Sequence, residues 1–188
     1  MATALIAEDE TIIRLDIRGA LEEAGYEVCA EARHGVEAVE LARTSEPDIA
    51  VLDVKMPKLD GIEAARQILE HRSLPILLLT AYSDQALVRR AAEAGVFAYL
   101  VKPFRTGDLL PAIETAIARH AEMSALREEA ATLADALAAR KAIERAKGLL
   151  MSREGLSEGE AFGRLRHASQ VSRQPLKVIA DAIVAALE

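Results

Sequence analysis

The sequence predicts an α/β fold, a five-stranded, doubly wound parallel sheet, followed by a long helix and a small all-α unit of three helices. Three observations predict it. Short apolar runs alternate with amphipathic helical stretches as far as about residue 120. The middle runs are continuously apolar, as strands covered on both faces require. From Asp108 to about Met151 there is no strand signal, only helical periodicity.

In order, "TALIA" (3–7), "EVCAEA" (27–32), "DIAVLD" (48–53), "PILLLT" (75–80) and "AYLVK" (98–102) read as strands. Amphipathic stretches lie between them near 11–24, 36–45, 61–71 and 84–94. Gly25 and Gly95 fall where a helix C-cap favours positive φ. Five such βα units imply a parallel doubly wound sheet, which places function at the carboxyl ends of its strands.

Pro111 fits the first turn of the next helix. Ala116, Met123, Ala130 and Leu137 then recur every seven residues, with Leu126 and Leu133 three residues after Met123 and Ala130. This short coiled-coil-like seam, interrupted by Arg119, predicts dimerisation through the helix. Gly155 reads as a stop, and "SEGE" (157–160) as a capping box with Ser157 at N-cap and Glu160 at N3. Pro175 opens a last helix with Leu176, Ile179, Ile183 and Leu187 at helical spacing. The expected domains are 1–120, a helical linker at 121–137, and a three-helix unit at 138–188.

Composition narrows the class. Hydrophobic residues make up 51% of the chain but aromatics only 3%, with no Trp, so the core is aliphatic and Ala-rich. The single Cys29, placed mid-strand and expected to be buried, excludes an internal disulfide framework and fits a reducing cytoplasm. The acidic N-terminus does not resemble a signal peptide, and no apolar run approaches the roughly 18 residues of a membrane span. A cytoplasmic protein is expected. Charge is segregated: residues 138–188 hold 9 Lys+Arg against 6 Asp+Glu, out of chain totals of 23 and 30. The remainder is strongly acidic and repels nucleic acid, while the C-terminal region can attract it.

Glu8 and Asp9 follow the first strand and Asp53 ends the third. In the predicted topology these strands are neighbours, so three carboxylates meet at one edge and repel. A hard divalent cation resolves that repulsion, and carboxylate oxygens plus water suit Mg²⁺. Thr80 ends the fourth strand and Lys102 the fifth, adding a hydroxyl and an ammonium. A carboxylate in such a pocket can attack phosphorus to form an aspartyl phosphate, with the cations neutralising the transferred group.

Residues 1–120 resemble a bacterial response-regulator receiver domain along their whole length, through "EDE" (8–10), "VLDVKMPKLDG" (51–61), "LLLTAY" (77–82) and "YLVKPF" (99–104). The resemblance implies the flavodoxin-like strand order 2-1-3-4-5, with Asp53 as phosphoacceptor charged by a sensor histidine kinase. It implies Mg²⁺ held by Asp9 and Asp53, by Glu8 through water, and by the Lys55 carbonyl. Lys102 would pair with the phosphoryl group before a cis Pro103, and Thr80 and Tyr99 would be the switch pair. No turnover of a foreign substrate is implied, only phosphorylation from small donors and dephosphorylation of the domain itself.

The stretch "AARKAIERAKGLLM" (138–151) places Ala139, Ile143, Ala146 and Leu150 on one helical stripe, with Arg140, Lys141, Arg145 and Lys147 away from it. Gly148 lies within the basic arc, where it costs roughly 1 kcal/mol against Ala. Close approach by another backbone, such as a phosphodiester chain, would offset that cost. Residues 122–186 closely resemble an ANTAR domain, through "IERAKGLLM", "GLSEGEAF" and "LRHASQ". That family implies binding of paired RNA hairpins in nascent transcripts, usually as a dimer, so that a terminator does not form. Phe162, the only aromatic in 138–188, is expected in the core, leaving contacts to Arg, amides and backbone. Two other readings stay open: a DNA-binding helix-turn-helix output, and a phosphotransfer enzyme. Against the first, "QVSRQP" is a poor match to a tight Gly-containing turn. Against the second, Lys55 stands where an aspartyl-phosphate phosphatase commonly has a second Asp. His34, His71, His120 and His167 show no metal spacing, and there is no Gly-rich phosphate loop.

Overall fold

The computed structural model describes residues 1–81 and 85–187. Strands β1 (Thr3–Ala7), β2 (Glu27–Ala32), β3 (Ile49–Asp53), β4 (Ile76–Thr80) and β5 (Ala98–Val101) form one sheet in the order β2-β1-β3-β4-β5. All four pairings are parallel, as expected. Three strands are one residue shorter than predicted. Asp48 instead accepts from the Thr3 main-chain N–H at 2.8 Å, and Pro75 has no N–H to donate. Lys102 leaves the ladder after its N–H bonds the Thr80 carbonyl at 2.7 Å.

Helices α1 (Thr11–Glu23), α2 (Gly35–Ser45), α3 (Gly61–His71) and α4 (Gln85–Glu93) connect the strands. Tyr82 of the "LLLTAY" motif and Asp84, the expected start of the fourth amphipathic stretch, lie outside the described residues. Because side chains alternate along a strand, Leu5, Leu52 and Leu78 feed one core layer with α2 and α3. Ile6, Val51, Leu77 and Leu79 feed the other, with Ile17 and Leu21 of α1. Each such buried Leu or Ile contributes about 1.5–3 kcal/mol. Gly25 and Gly95 adopt φ of 84° and 87°, the left-handed turns predicted for them.

Cys29 is only half-buried, not buried as expected, because β2 is an edge strand. The β1–β2 register slips between Ala4↔Val28 and Leu5↔Ala30, so Cys29 is the extra residue of a bulge. Its thiol faces the Ala4 carbonyl at 3.4 Å.

Helix α5 spans Thr106–Glu154. It starts five residues before Pro111, which therefore lies inside the helix and not in its first turn. The start is fixed by Asp108, whose carboxylate accepts from the Arg105 N–H at 2.9 Å. Ala116, assigned to the seam, is instead buried with Leu109 and Ile113 against the sheet. The chain divides into two compact units, Met1–Ser124 and Ala125–Glu188. No helix end falls at residue 137.

In the second unit, α6 (Glu158–Ser172) and α7 (Leu176–Leu187) pack on the end of α5. Ala146, Leu150, Ala161, Leu165 and Ala180 form its centre, with Ile143, Leu176, Ile179, Ile183 and Leu187 around them. Ser157 and Glu160 make the predicted capping box reciprocally. Pro175 stands just before α7 and supplies the carbonyl that Val178 and Ile179 bond. Phe162 is 39% exposed and not in the core, because Ala161 and Leu165, which share one face of α6, take its inward side. Among the described residues no helix is long and apolar enough to cross a membrane.

Candidate functional site

Four strands deliver the first cluster. Glu8, directly after β1, is fully buried, and its N–H donates to the Ala32 carbonyl at 3.1 Å. Asp9 follows and is exposed. Asp53 is the last residue of β3 and is buried. Beside it, α3 begins with Gly61, whose N–H donates to the Val54 carbonyl at 2.9 Å. The neighbouring Asp60 caps α3 by accepting from the Glu63 N–H at 2.9 Å.

Lys102 bridges the two buried acids. Its Nζ lies 2.6 Å from Glu8 Oε2 and 2.8 Å from Asp53 Oδ1. The peptide to Pro103 is cis, as the receiver resemblance implied. Burial pushes both carboxyls above their ordinary range. For Glu8, the Asp53 charge adds to that rise and Lys102 opposes it. For Asp53, Lys102 and the Lys55 main-chain N–H oppose the rise, and the Asp9 charge adds to it. Burial alone would lower the Lys102 ammonium, but its hydrogen bonds to Asp53 and Glu8 outweigh that and hold it above the ordinary value.

Ligand oxygens of Glu8, Asp9 and Asp53 lie within 4.8 Å of one another. Three carboxylates facing one ammonium leave a deficit of two positive charges when all are ionised. A divalent cation with oxygen ligands fits that donor set in charge and chemistry.

Thr80 is buried at the end of β4, whereas Tyr99, mid-strand in the edge strand β5, is 42% exposed. Lys55 presents an exposed side chain in the β3–α3 loop.

The second cluster lies on α5 of the second unit. Arg140, Lys141 and Arg145 are exposed. A methyl group placed on Gly148, also exposed, would meet no atom within 4 Å beyond the adjacent backbone of its own helix. Lys147 departs from expectation. It is 8% exposed, with its Nζ 3.0 Å from Glu144 Oε1 and 2.6 Å from Glu158 Oε1. It sits at the edge of the apolar stripe, where α6 covers it, and its charge is already matched. Sequence reasoning missed the partner because Glu158 lies beyond a turn, and it missed Arg14, described below.

Comparison with known proteins assigns a family to each part of the chain. Residues 4–114 match the response regulator receiver domain, and residues 131–184 match the ANTAR domain. The transcriptional regulatory protein PdtaR of Mycobacterium tuberculosis is 49% identical over 183 residues, 97% of this chain and 89% of that one. The chemotaxis protein CheY of Thermotoga maritima is 36% identical over 110 residues, covering 58% and 92%. Among solved structures, the receiver domain of a diguanylate cyclase from Desulfovibrio desulfuricans shares 34% identity with a TM-score of 0.59, covering 65% of this chain and 98% of that one. A chemotaxis protein from Vibrio cholerae shares 31% with a TM-score of 0.58, covering 62% and 98%. Receiver fold, acidic strand-end cluster and ANTAR match together place this chain among the two-component response regulators, with a receiver domain in front of an RNA-binding ANTAR output.

Proposed function

We propose that Asp53 is the phosphoacceptor and that its phosphorylation controls hairpin binding by the ANTAR domain in transcription antitermination. The observation that carries this reading is Lys102, bridging Glu8 and the strand-end Asp53 beside Asp9. An Asp53 carboxylate oxygen forms the new P–O bond, while the bond from phosphorus to the donor (a kinase histidine nitrogen, or the acyl oxygen of a small donor) breaks. Lys102 stays beside Asp53 to pair with the incoming charge. Glu8, Asp9 and Asp53, with the Lys55 carbonyl, are the residues that would hold Mg²⁺, and the ion supplies charge neutralisation for phosphoryl transfer. Thr80 and Tyr99 are the proposed switch residues, and the receiver also accelerates loss of its own phosphoryl group.

In the output domain, Arg140, Lys141 and Arg145 supply phosphate contacts, and Gly148 lets a phosphodiester backbone approach. The exposed Phe162 ring adds a surface on which one unstacked loop base can stack. The active form is a homodimer joined through the Met123–Leu137 stretch of α5. Domain limits at 1–120, 121–137 and 138–188 serve this reading.

Two measurements test it together. Acetyl phosphate with Mg²⁺ should add one phosphoryl group, absent in Asp53→Asn. Labelled hairpin RNA should be displaced by hairpin RNA far better than by duplex DNA at fixed salt. Labelling of the variant, or stronger displacement by DNA, would overturn the corresponding half.

A further inference from the structure

Arg14, on the first turn of α1, is only 6% exposed, and its Nη1 donates to the Glu8 carbonyl oxygen at 2.7 Å. That carbonyl belongs to the peptide joining Glu8 to Asp9. The Glu8 N–H is held from the other side by the Ala32 carbonyl. The guanidinium is itself oriented. Its Nε lies 3.2 Å from Glu31 Oε2, and Glu31 Oε1 accepts from Arg18 Nη1 at 2.6 Å. Glu31 immediately precedes Ala32, so one segment of β2 fixes both the Glu8 main chain and the residue that grips it.

The Asp9 side chain needs this arrangement more than its neighbours do. Glu8 and Asp53 are buried and tethered to Lys102. Among the described residues, Asp9 shows no hydrogen bond or ion pair of its own, so its place depends on the main chain that carries it. The last main-chain oxygen before it is the one Arg14 holds.

We infer that Arg14 is a positioning residue for the cation pocket: it fixes the Glu8–Asp9 peptide so that the unsupported Asp9 carboxylate faces Asp53. The inference rests on the reading of Glu8, Asp9 and Asp53 as a divalent-cation site. Groups that orient metal ligands from one shell out typically change affinity by about 10–100-fold when removed.

The test titrates Mn²⁺, followed by electron paramagnetic resonance, and Mg²⁺ by competition, into the full chain. Wild type, Arg14→Gln, Arg14→Lys, Glu31→Gln and Leu21→Ala are compared, with melting curves taken without metal. Leu21 is buried in α1 away from the pocket and reports generic loss of stability. Arg14→Gln should weaken binding by about tenfold, Glu31→Gln by less, and Arg14→Lys should recover part of the loss. Leu21→Ala should lower the melting temperature and leave affinity unchanged. Affinity within twofold of wild type in Arg14→Gln overturns the inference while leaving the pocket intact. If Arg14→Gln does not fold, unchanged affinity in both Glu31→Gln and Arg14→Lys overturns it. Wild type that binds neither ion overturns the pocket reading itself, and this inference with it.

Discussion

Lys147 on α5 and Glu158 in the first turn of α6 are joined by an ion pair of 2.6 Å, and Glu144 shares the same ammonium. Arg164 and Glu154 make a second tie between the two helices. Lys147 therefore closes the small helical unit on itself. Lys147→Ala should lower the melting temperature of that unit and weaken RNA binding less than Arg140→Ala or Lys141→Ala. The Glu158 carboxyl is held below its ordinary 4.5 by Lys147. A depressed carboxylate stabilises above its unfolded value, and that contribution is lost as pH falls through the folded value. Thermal melts should show an acid-sensitive step below about pH 4.5 in wild type, diminished in the variant. Identical acid profiles would refute the assignment.

Gly61 has no room for a side chain. A Cβ there would lie 2.0 Å from the Asp53 carbonyl oxygen. Backbone against backbone cannot yield cheaply, so Gly61→Ala should destabilise the receiver by about 1–3 kcal/mol and displace Asp53. Urea unfolding of the metal-free protein measures the first effect, and the acetyl phosphate labelling rate measures the second. A neutral result in both would contradict the contact.

Asp53 is held above its ordinary value, chiefly by burial. A raised folded value means a contribution present below the unfolded pKa and lost as pH rises through the folded one. At neutral pH the ionised carboxylate therefore works against the metal-free fold. Asp53→Asn should raise the melting temperature at pH 7 without Mg²⁺, by roughly 2–4 °C per kcal/mol relieved. Lys102 retains Glu8 as a partner in that variant. A melting temperature below wild type would mean that the Lys102 bond outweighs the burial.

Leu126, Leu133 and Leu137 are 52%, 64% and 54% exposed. Leu133→Glu should leave the melting of a dilute monomer nearly unchanged, since surface changes usually fall within about 0.5 kcal/mol. In a dimer it would lose roughly 1.5–3 kcal/mol of burial per chain. Sedimentation of phosphorylated protein should show a dimer that this variant shifts to monomer. A monomer in wild type at every concentration would rule out the seam.

Gly148→Ala should stabilise its helix by up to about 1 kcal/mol, because nothing surrounds the added methyl group. If RNA approaches there, affinity should fall despite that gain. Phe162→Ala should cost roughly 1–3 kcal/mol for a hairpin whose loop base stacks on the ring, and the loss should depend on loop sequence. Filter binding with two loop sequences separates these effects from the uniform weakening expected on losing one phosphate-contacting basic residue.

The sheet was legible because apolar runs and turn glycines are local signals. "TALIA" and "EVCAEA" match their strands to the residue. The capping box at Ser157 was equally legible, since cap and acceptor lie three residues apart. Asp53, Glu8 and Lys102 could be placed at one edge because strand ends and strand order follow from the same pattern. Cys29 could not be placed correctly, because the bulge that displaces it depends on register with a partner strand. Phe162 was misplaced because Ala161 and Leu165, on a neighbouring face of the same helix, took the interior instead of the ring. Periodicity counts apolar positions but does not weigh them against a facing helix.

By itself, then, the sequence determined the order of elements, the strand-end residues that meet in the acidic cluster, and the charge asymmetry between acidic receiver and basic output. All of these reside in short windows or in composition. Only the tertiary structure decided which charges are already matched. Lys147 is satisfied by Glu158 across a turn, and Arg14 is turned inward onto the Glu8 carbonyl. Both are long cations on helices, Lys147 placed by the sequence away from the apolar stripe and Arg14 marked by no sequence signal. Their fate depends on which carboxylate or carbonyl a neighbouring element brings within 3 Å or so, and a hydrogen bond of that length is a property of packing that no local pattern encodes.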